Sequence, residues 1–143
     1  MSRIKIKLPK TFPFSTEVKV RISDINYGGH LGNDTVLTLM HEARARLLQE
    51  HGFTELNIEG RGIIMVDSAI LYKSEAFYGE TLVIEIALDN LNRFGCDFIY
   101  KITKKETGKE VARAKTGMVA FDFEKRKIAE LPESFISIFA PKE

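Results

Sequence analysis

Apolar and polar positions alternate in two short runs near the start of the chain. Lys5 and Lys7 separate Ile4, Ile6 and Leu8, and Lys19 and Arg21 separate Val18, Val20 and Ile22. A period of two belongs to a strand with one buried face, so both runs predict β structure. The period then changes: from Asp34 to His51, Val36, Leu39, Met40, Ala43 and Leu47 recur at three- and four-residue spacing. That spacing predicts one helix of about five turns, with Gly52 placed to end it. Further β-rich segments follow at Ile63 to Tyr72, Thr81 to Leu88, Cys96 to Thr103 and Val111 to Phe123. Glycines at 79, 95 and 108 fall near the reversals between them, which predicts an antiparallel meander. The tail from Leu131 to Phe139 predicts a short helix that turns Phe135, Ile136 and Phe139 inward. One long amphipathic helix among several strands must bury its apolar stripe on a single curved sheet, an α+β arrangement.

Residues 1–143 are read as one domain, because 44% apolar against 29% charged residues supplies a core without metal or disulfide support. Lysine and arginine total 21 against 20 acidic residues. That balance gives no electrostatic reason to expect nucleic acid as a partner. The longest apolar runs fall well short of the roughly 20 residues that cross a bilayer, so no membrane span is expected. Lysines and prolines interrupt the first fourteen residues, which do not read as a secretion signal, and the lone Cys96 has no partner for a bridge. Together these predict a cytoplasmic protein. Three histidines and one cysteine at unrelated spacings do not form a metal-ligand pattern, and no cofactor is expected.

The polar chemistry gathers at one junction, Ser23-Asp24-Ile25-Asn26-Tyr27-Gly28-Gly29-His30-Leu31-Gly32-Asn33, between a predicted strand and the predicted helix. A helix start offers amide donors without intrahelical partners, and the loop adds carboxylate, carboxamide and imidazole groups. Asp24 is the only carboxylate in that loop and either accepts hydrogen bonds from turn amides or supplies a catalytic charge. His30 follows two glycines and either fixes the loop or serves as a base. Projected at 100° per residue, His41 falls at the edge of the helix's apolar arc, while Glu42 points nearly opposite its centre. His41 therefore faces a site or is a half-buried residue without a chemical role, and Glu42 is a base or a surface pair with Arg46. His51 suits a helix C-terminus, and Asp67 is expected to face outward from its strand.

The junction loop together with Glu42-Ala43-Arg44 resembles the hotdog-fold thioesterases, in particular the 4-hydroxybenzoyl-CoA thioesterase family and its short acyl-CoA thioesterase relatives. Tyr72, the run Gly79-Glu80-Thr81-Leu82 and the late Pro132-Glu133 support the likeness, which spans nearly the whole chain. The resemblance implies a hotdog fold, with one long central helix wrapped by a curved antiparallel sheet. It implies hydrolysis of an acyl-CoA to free acid and CoA at a site shared between subunits of a homodimer or homotetramer. It also places the oxyanion-binding amide at Asn33, a residue that an N-cap role would equally suit. In one branch of the family a catalytic carboxylate stands seven residues earlier, where this chain has Asn26. Other branches place an amide there and draw a carboxylate from the neighbouring subunit's helix, at the position of His41 beside Glu42. Lys73, Arg93, Arg113 and Arg126 are candidates for CoA phosphate contacts. A hotdog hydratase or dehydratase, and an acyl-CoA binding or sensing module without turnover, are the alternative functions.

Overall fold

The one segment of helical period forms α1, Asn33–Glu50, in the computed structural model, which describes residues 3–140. Its apolar stripe, including Val36, Leu39, Met40, Ala43, Leu47 and Leu48, is buried. His51 caps it, and Gly52 takes the left-handed φ of +78° that ends the last turn. The strands are β1 (Phe14–Lys19), β2 (Gly62–Tyr72), β3 (Thr81–Asp89), β4 (Gly95–Lys104), β5 (Glu110–Asp122) and the two-residue β6 (Lys127–Ile128). All pairings are antiparallel, in the order β1-β3-β4-β5-β2 with β6 on β5. A closing helix, α2 (Glu133–Phe139), buries Phe135 beside Phe53 and Phe139. Ile136 and Phe139 pack on the core as partly buried residues.

Strand alternation explains the floor of the core. Leu82, Ile84 and Ile86 of β3, Phe98, Tyr100 and Ile102 of β4, and Ala112, Ala114 and Ala120 of β5 are fully buried. The α+β architecture is as the sequence predicts, but local expectations fail: of the alternating run Val18 to Ile22 only Val18 and Lys19 lie in β1, and Ile22 is exposed in a 3-10 turn because the chain bends there into the junction loop. Ile4 to Leu8 form no strand, because alternation makes a strand only where a neighbour takes the backbone groups. That stretch pairs with no strand, and Ile4 stays half exposed. Nor do all the later strands form a meander: β3, β4 and β5 do, but β2 pairs with β5 on the far side of the sheet from β3.

The two edges of the sheet differ. Just past β1, Val20 exchanges backbone bonds with the residues ahead of β3, its N–H donating to Glu80 O at 2.9 Å and its carbonyl accepting from Gly79 N at 2.9 Å. Alternation then turns the backbone groups of Glu17 toward the open edge, where the Glu17 carbonyl accepts from Arg46 Nη1 at 2.7 Å. On β2, the register shifts between Met65 and Asp67, leaving Val66 as the extra, exposed residue of a bulge. Its Met65 and Ser68 lie opposite Met118 and Thr116 of β5 and share their inward face. Met118 and Thr116 are buried, whereas Met65 and Ser68 are exposed, so α1 does not cover this end of the inner face.

Candidate functional site

The junction loop is closed by an antiparallel bridge between Ile25 and Leu31. Within it the Asn26 N–H donates to His30 O at 2.9 Å and Gly29 N–H to Asn26 O at 3.1 Å. Gly29 adopts φ +84°, which a side chain would resist. The Asn26 carboxamide oxygen accepts from Gly28 N–H at 2.9 Å, so the half-buried side chain is held by its own loop. Asp24 is buried and accepts from Arg21 N–H at 2.8 Å and from the Arg21 guanidinium at 3.2 and 3.3 Å. It builds the 3-10 turn Ile22–Asp24 that enters the loop.

Gly32, not Asn33, is the N-cap of α1, so no side chain satisfies the first turn. The capping role fails because Asn33 is already the first helical residue, with its carbonyl accepting from Tyr72 Oη at 2.9 Å. The first intrahelical donors are Thr35 and Val36, both to Gly32 O, and the Asn33 and Asp34 amides find no acceptor among the described residues. Asn33 lines a cleft of about 210 Å³ together with His30, Tyr72, Lys73, Ser74 and Glu75. Burial, with the Asp34 charge second, holds the Tyr72 phenol above its ordinary range and keeps it a neutral donor. His30 Nδ1 donates to Leu31 O at 3.0 Å, and its Nε2 stands 3.9 Å from Glu75 Oε1.

Farther along α1 lies a second cavity, of about 490 Å³, lined by Glu17, Arg21, Thr38, His41, Glu42 and Arg46 among others. Glu42 pairs with Arg46 at 2.8 Å, the i,i+4 arrangement. His41 is 59% exposed and stands between this cavity and a third, of about 460 Å³, that it lines with Gln49, Phe53, Glu55 and Leu56. Eight residue-to-residue steps of helix lead from Asn33 to His41, about 12 Å of rise. Within one chain, then, Asn33 and His30 share one cleft, with Asn26 in the adjoining loop, while His41 and Glu42 line another.

Between helix and sheet runs a polar chain that the sequence reading did not anticipate. Arg44, only 3% exposed, donates from Nε to Glu55 Oε1 at 2.6 Å and from Nη1 to Tyr100 Oη at 3.0 Å. Tyr100 in turn meets Thr116 Oγ1 at 2.8 Å, and Glu55 Oε2 meets His41 Nε2 at 3.1 Å. Burial works against the Arg44 charge, but Tyr100 and Glu55 more than reverse it. Burial likewise raises the Tyr100 phenol, so it stays protonated. A signal for Arg44 was present in its spacing, four residues after Met40 and three before Leu47 on the apolar stripe. Glu55 sits in an irregular loop and gave none.

His51 stacks edge-on against Phe139, with ring centroids 5.1 Å apart, at the helix end. Asp67 faces outward from β2 as expected, binding Lys115 Nζ at 2.8 Å and Gly117 N–H at 3.0 Å. Lys115, by hydrogen bonding, pulls its carboxyl below the usual range. Of the basic candidates, Arg113 is bound to Glu110 at 2.8 Å and Arg93 to Glu130. Lys73 lines the helix-start cleft, and Arg126 lies in the turn before β6. Among the described residues no group of three His, Cys, Asp or Glu is placed to hold a metal ion.

A helix with an open N-terminus, entered through a glycine-histidine loop and backed by a curved antiparallel sheet, coincides with a sequence match. Residues 20–139 match the family model of the thioesterase-like superfamily. The chain belongs to that superfamily. Membership assigns the thioesterase-like chain to the thioester hydrolases. A Bacillus subtilis protein named "Putative acyl-CoA thioesterase YneP" is 26% identical over 83% of this chain and 87% of its own length. A Synechocystis protein named a "Putative esterase" is 29% identical over 80% of this chain and 70% of its own. The crystal structure of a 1,4-dihydroxy-2-naphthoyl-CoA thioesterase from Synechocystis superposes with a TM-score of 0.81 at 23% identity, covering 88% of this chain and 94% of that one. That likeness identifies the thioesterase-like fold as the hotdog. No helix among the described residues is long and apolar enough to cross a membrane.

Proposed function

We propose that this chain hydrolyses acyl-coenzyme A thioesters to the free acid and coenzyme A, in a site completed by two copies of the chain. The observation that carries this is the α1 start, where Asn33, whose amide has no acceptor among the described residues, lines a cleft at the positive end of the helix. A thioester carbonyl seated there would find a donor for the charge it develops when attacked. Asn33 is the proposed oxyanion amide. Asn26 orients the thioester or the water, because a carboxamide cannot act as the base, and His30 fixes the loop and borders the carbonyl.

The base must come from elsewhere. Asp24 is spent on Arg21, and Glu42 is tied to Arg46. His41 is exposed beside a cavity with Nδ1 making no hydrogen bond among the described residues, so it is the proposed base. It lies too far along its own helix to serve its own Asn33 amide, which is why the reading needs a partner copy. Met65 and Ser68, inward-facing yet exposed on the β2 edge, favour that edge as the mating surface. A cytoplasmic setting fits the buried, unpaired Cys96.

The test is thiol release from short, long, branched and aromatic acyl-CoAs. Turnover is expected with at least one class, and His41→Ala is expected to lower it roughly 100- to 10,000-fold in a folded protein. A second reading, binding without turnover, is favoured by one observation, the amide at Asn26 where a carboxylate would act. It predicts tight acyl-CoA binding with no thiol release, and measurable hydrolysis only after Asn26→Asp.

A further inference from the structure

We infer that Glu55 is a positioning residue for His41: it fixes the imidazole in the tautomer whose Nδ1 is free to take a proton. The inference rests on the assignment of His41 as the base. The geometry gives the protons around Glu55 a direction. A guanidinium only donates, so Arg44 donates to both Glu55 and Tyr100. The Tyr100 hydroxyl, which accepts from Arg44, shares a further hydrogen bond with Thr116 Oγ1 that either hydroxyl can donate. Glu55, held by Arg44 through Oε1, presents Oε2 to His41 Nε2 at 3.1 Å. An ionised carboxylate only accepts, so the proton of a neutral His41 is on Nε2 and the lone pair on Nδ1.

The carboxylate is itself held firmly. Its backbone carbonyl accepts from Ile63 N–H at 2.8 Å at the start of β2. The next residues close on a bridge between Thr54 and Asn57. His41 and Arg44 stand three residues apart on one side of α1, and Glu55 spans both with its two oxygens. The base is thus tied through Arg44 and Tyr100 to strands β4 and β5, although its ring is open to solvent. Glu42 is held instead by Arg46, a part-exposed side chain that bonds the edge strand β1 at Thr16 Oγ1 and the Glu17 carbonyl.

Glu55→Gln separates positioning from structural support. Glutamine keeps the size and one acceptor oxygen, which Arg44 retains. The group then facing Nε2 is the amide NH₂, a donor, and His41 must answer by moving its proton to Nδ1. The nitrogen that should act as base is then blocked while the packing is unchanged.

Imidazole ¹⁵N shifts of the full chain at about pH 8, above the ordinary imidazole range, read the tautomer directly. They are expected to show Nε2–H in the wild type and Nδ1–H in Glu55→Gln. With the acyl-CoA that turns over best, kcat should fall roughly 10- to 1,000-fold at a KM changed less than about twofold. Glu55→Asp should recover part of that loss, and Glu55→Gln should add nothing in a His41→Ala background. An unchanged tautomer overturns the inference. So does a flipped tautomer with undiminished kcat, or a loss confined to KM or to thermal stability. If the wild type releases no thiol from any acyl-CoA, the hydrolase assignment of this chain fails instead, and the ¹⁵N shifts alone decide whether Glu55 sets the His41 tautomer.

Discussion

Asp24, Glu42 and Glu55 have equal intrinsic chemistry and different fates, decided by what stands within 3.3 Å of each. The sequence named the first two because they lie in a motif or on a periodic helix, and it missed the third because loops carry no period. Arg44 stands in the Glu42-Ala43-Arg44 motif on the apolar stripe, where one charged position demands buried partners. Cys96 offers a sharper residue-scale consequence. Burial, and then the neighbouring Asp97 charge, pushes its thiol from 9.0 up to about 12. The unfolded chain therefore releases this proton first as pH rises. Stability from the neutral thiol is fully present below about pH 9 and is lost as pH climbs toward about 12. Urea unfolding midpoints followed upward from about pH 8 should fall more gently for Cys96→Ala than for the wild type. Equal slopes would show that the thiol titrates alike in both states. Tyr100, raised by its own burial, continues the alkaline loss in both proteins.

Elements were legible wherever one face is buried and the period had room to repeat. Helix α1 begins one residue earlier than its periodicity suggested, and β2 to β5 fall within a residue or two of their expected bounds. Ile4 to Leu8 show the limit: alternation reports a preference for a sheet and does not supply the neighbouring strand. Gly95 shows another. Its place in the sequence suggested a turn, but it is the first residue of β4 and is not among the glycines with positive φ. It is glycine for space, since a Cβ there would overlap the Met118 carbonyl oxygen on β5. Gly95→Ala should cost roughly 3 kcal/mol or more by prying the pair apart, measured by chemical denaturation. Gly79→Ala, with φ +86° and open space around it, should cost about 1–2 kcal/mol from backbone conformation alone. A smaller loss at Gly95 than at Gly79 would mean the β4–β5 ladder yields readily.

For the whole molecule, the fold class and reaction class were legible from one loop and one helix motif, whereas the division of the candidate groups between two cavities was not. Motif spacing states which residues are near in sequence; the rise of α1 carries His41 about 12 Å from Asn33, and the proposed function therefore requires an assembly to bring them together. Light scattering at micromolar concentration should therefore report at least two copies. Val66→Lys, at the exposed bulge of β2, should shift the protein toward monomer and lower thiol release in proportion. A monomeric Val66→Lys protein with undiminished turnover would place the whole site within one chain.

The Arg46 bond to the Glu17 carbonyl bears on how such an assembly ends. An open sheet has two flanks, and a protein that left both free would be able to stack copy on copy without limit. Here the β1 flank spends an outward carbonyl on a helix side chain, and Pro13, just ahead of the strand, brings no amide hydrogen at all. The β2 flank spends the Ile63 N–H on the Glu55 carbonyl at its start, and the stretch beyond it is the flank proposed to mate. Two copies joined there by a two-fold axis would expose β1 at both extremities. Growth would stop at the pair, so the same arginine that braces the helix would act as a terminator against fibres.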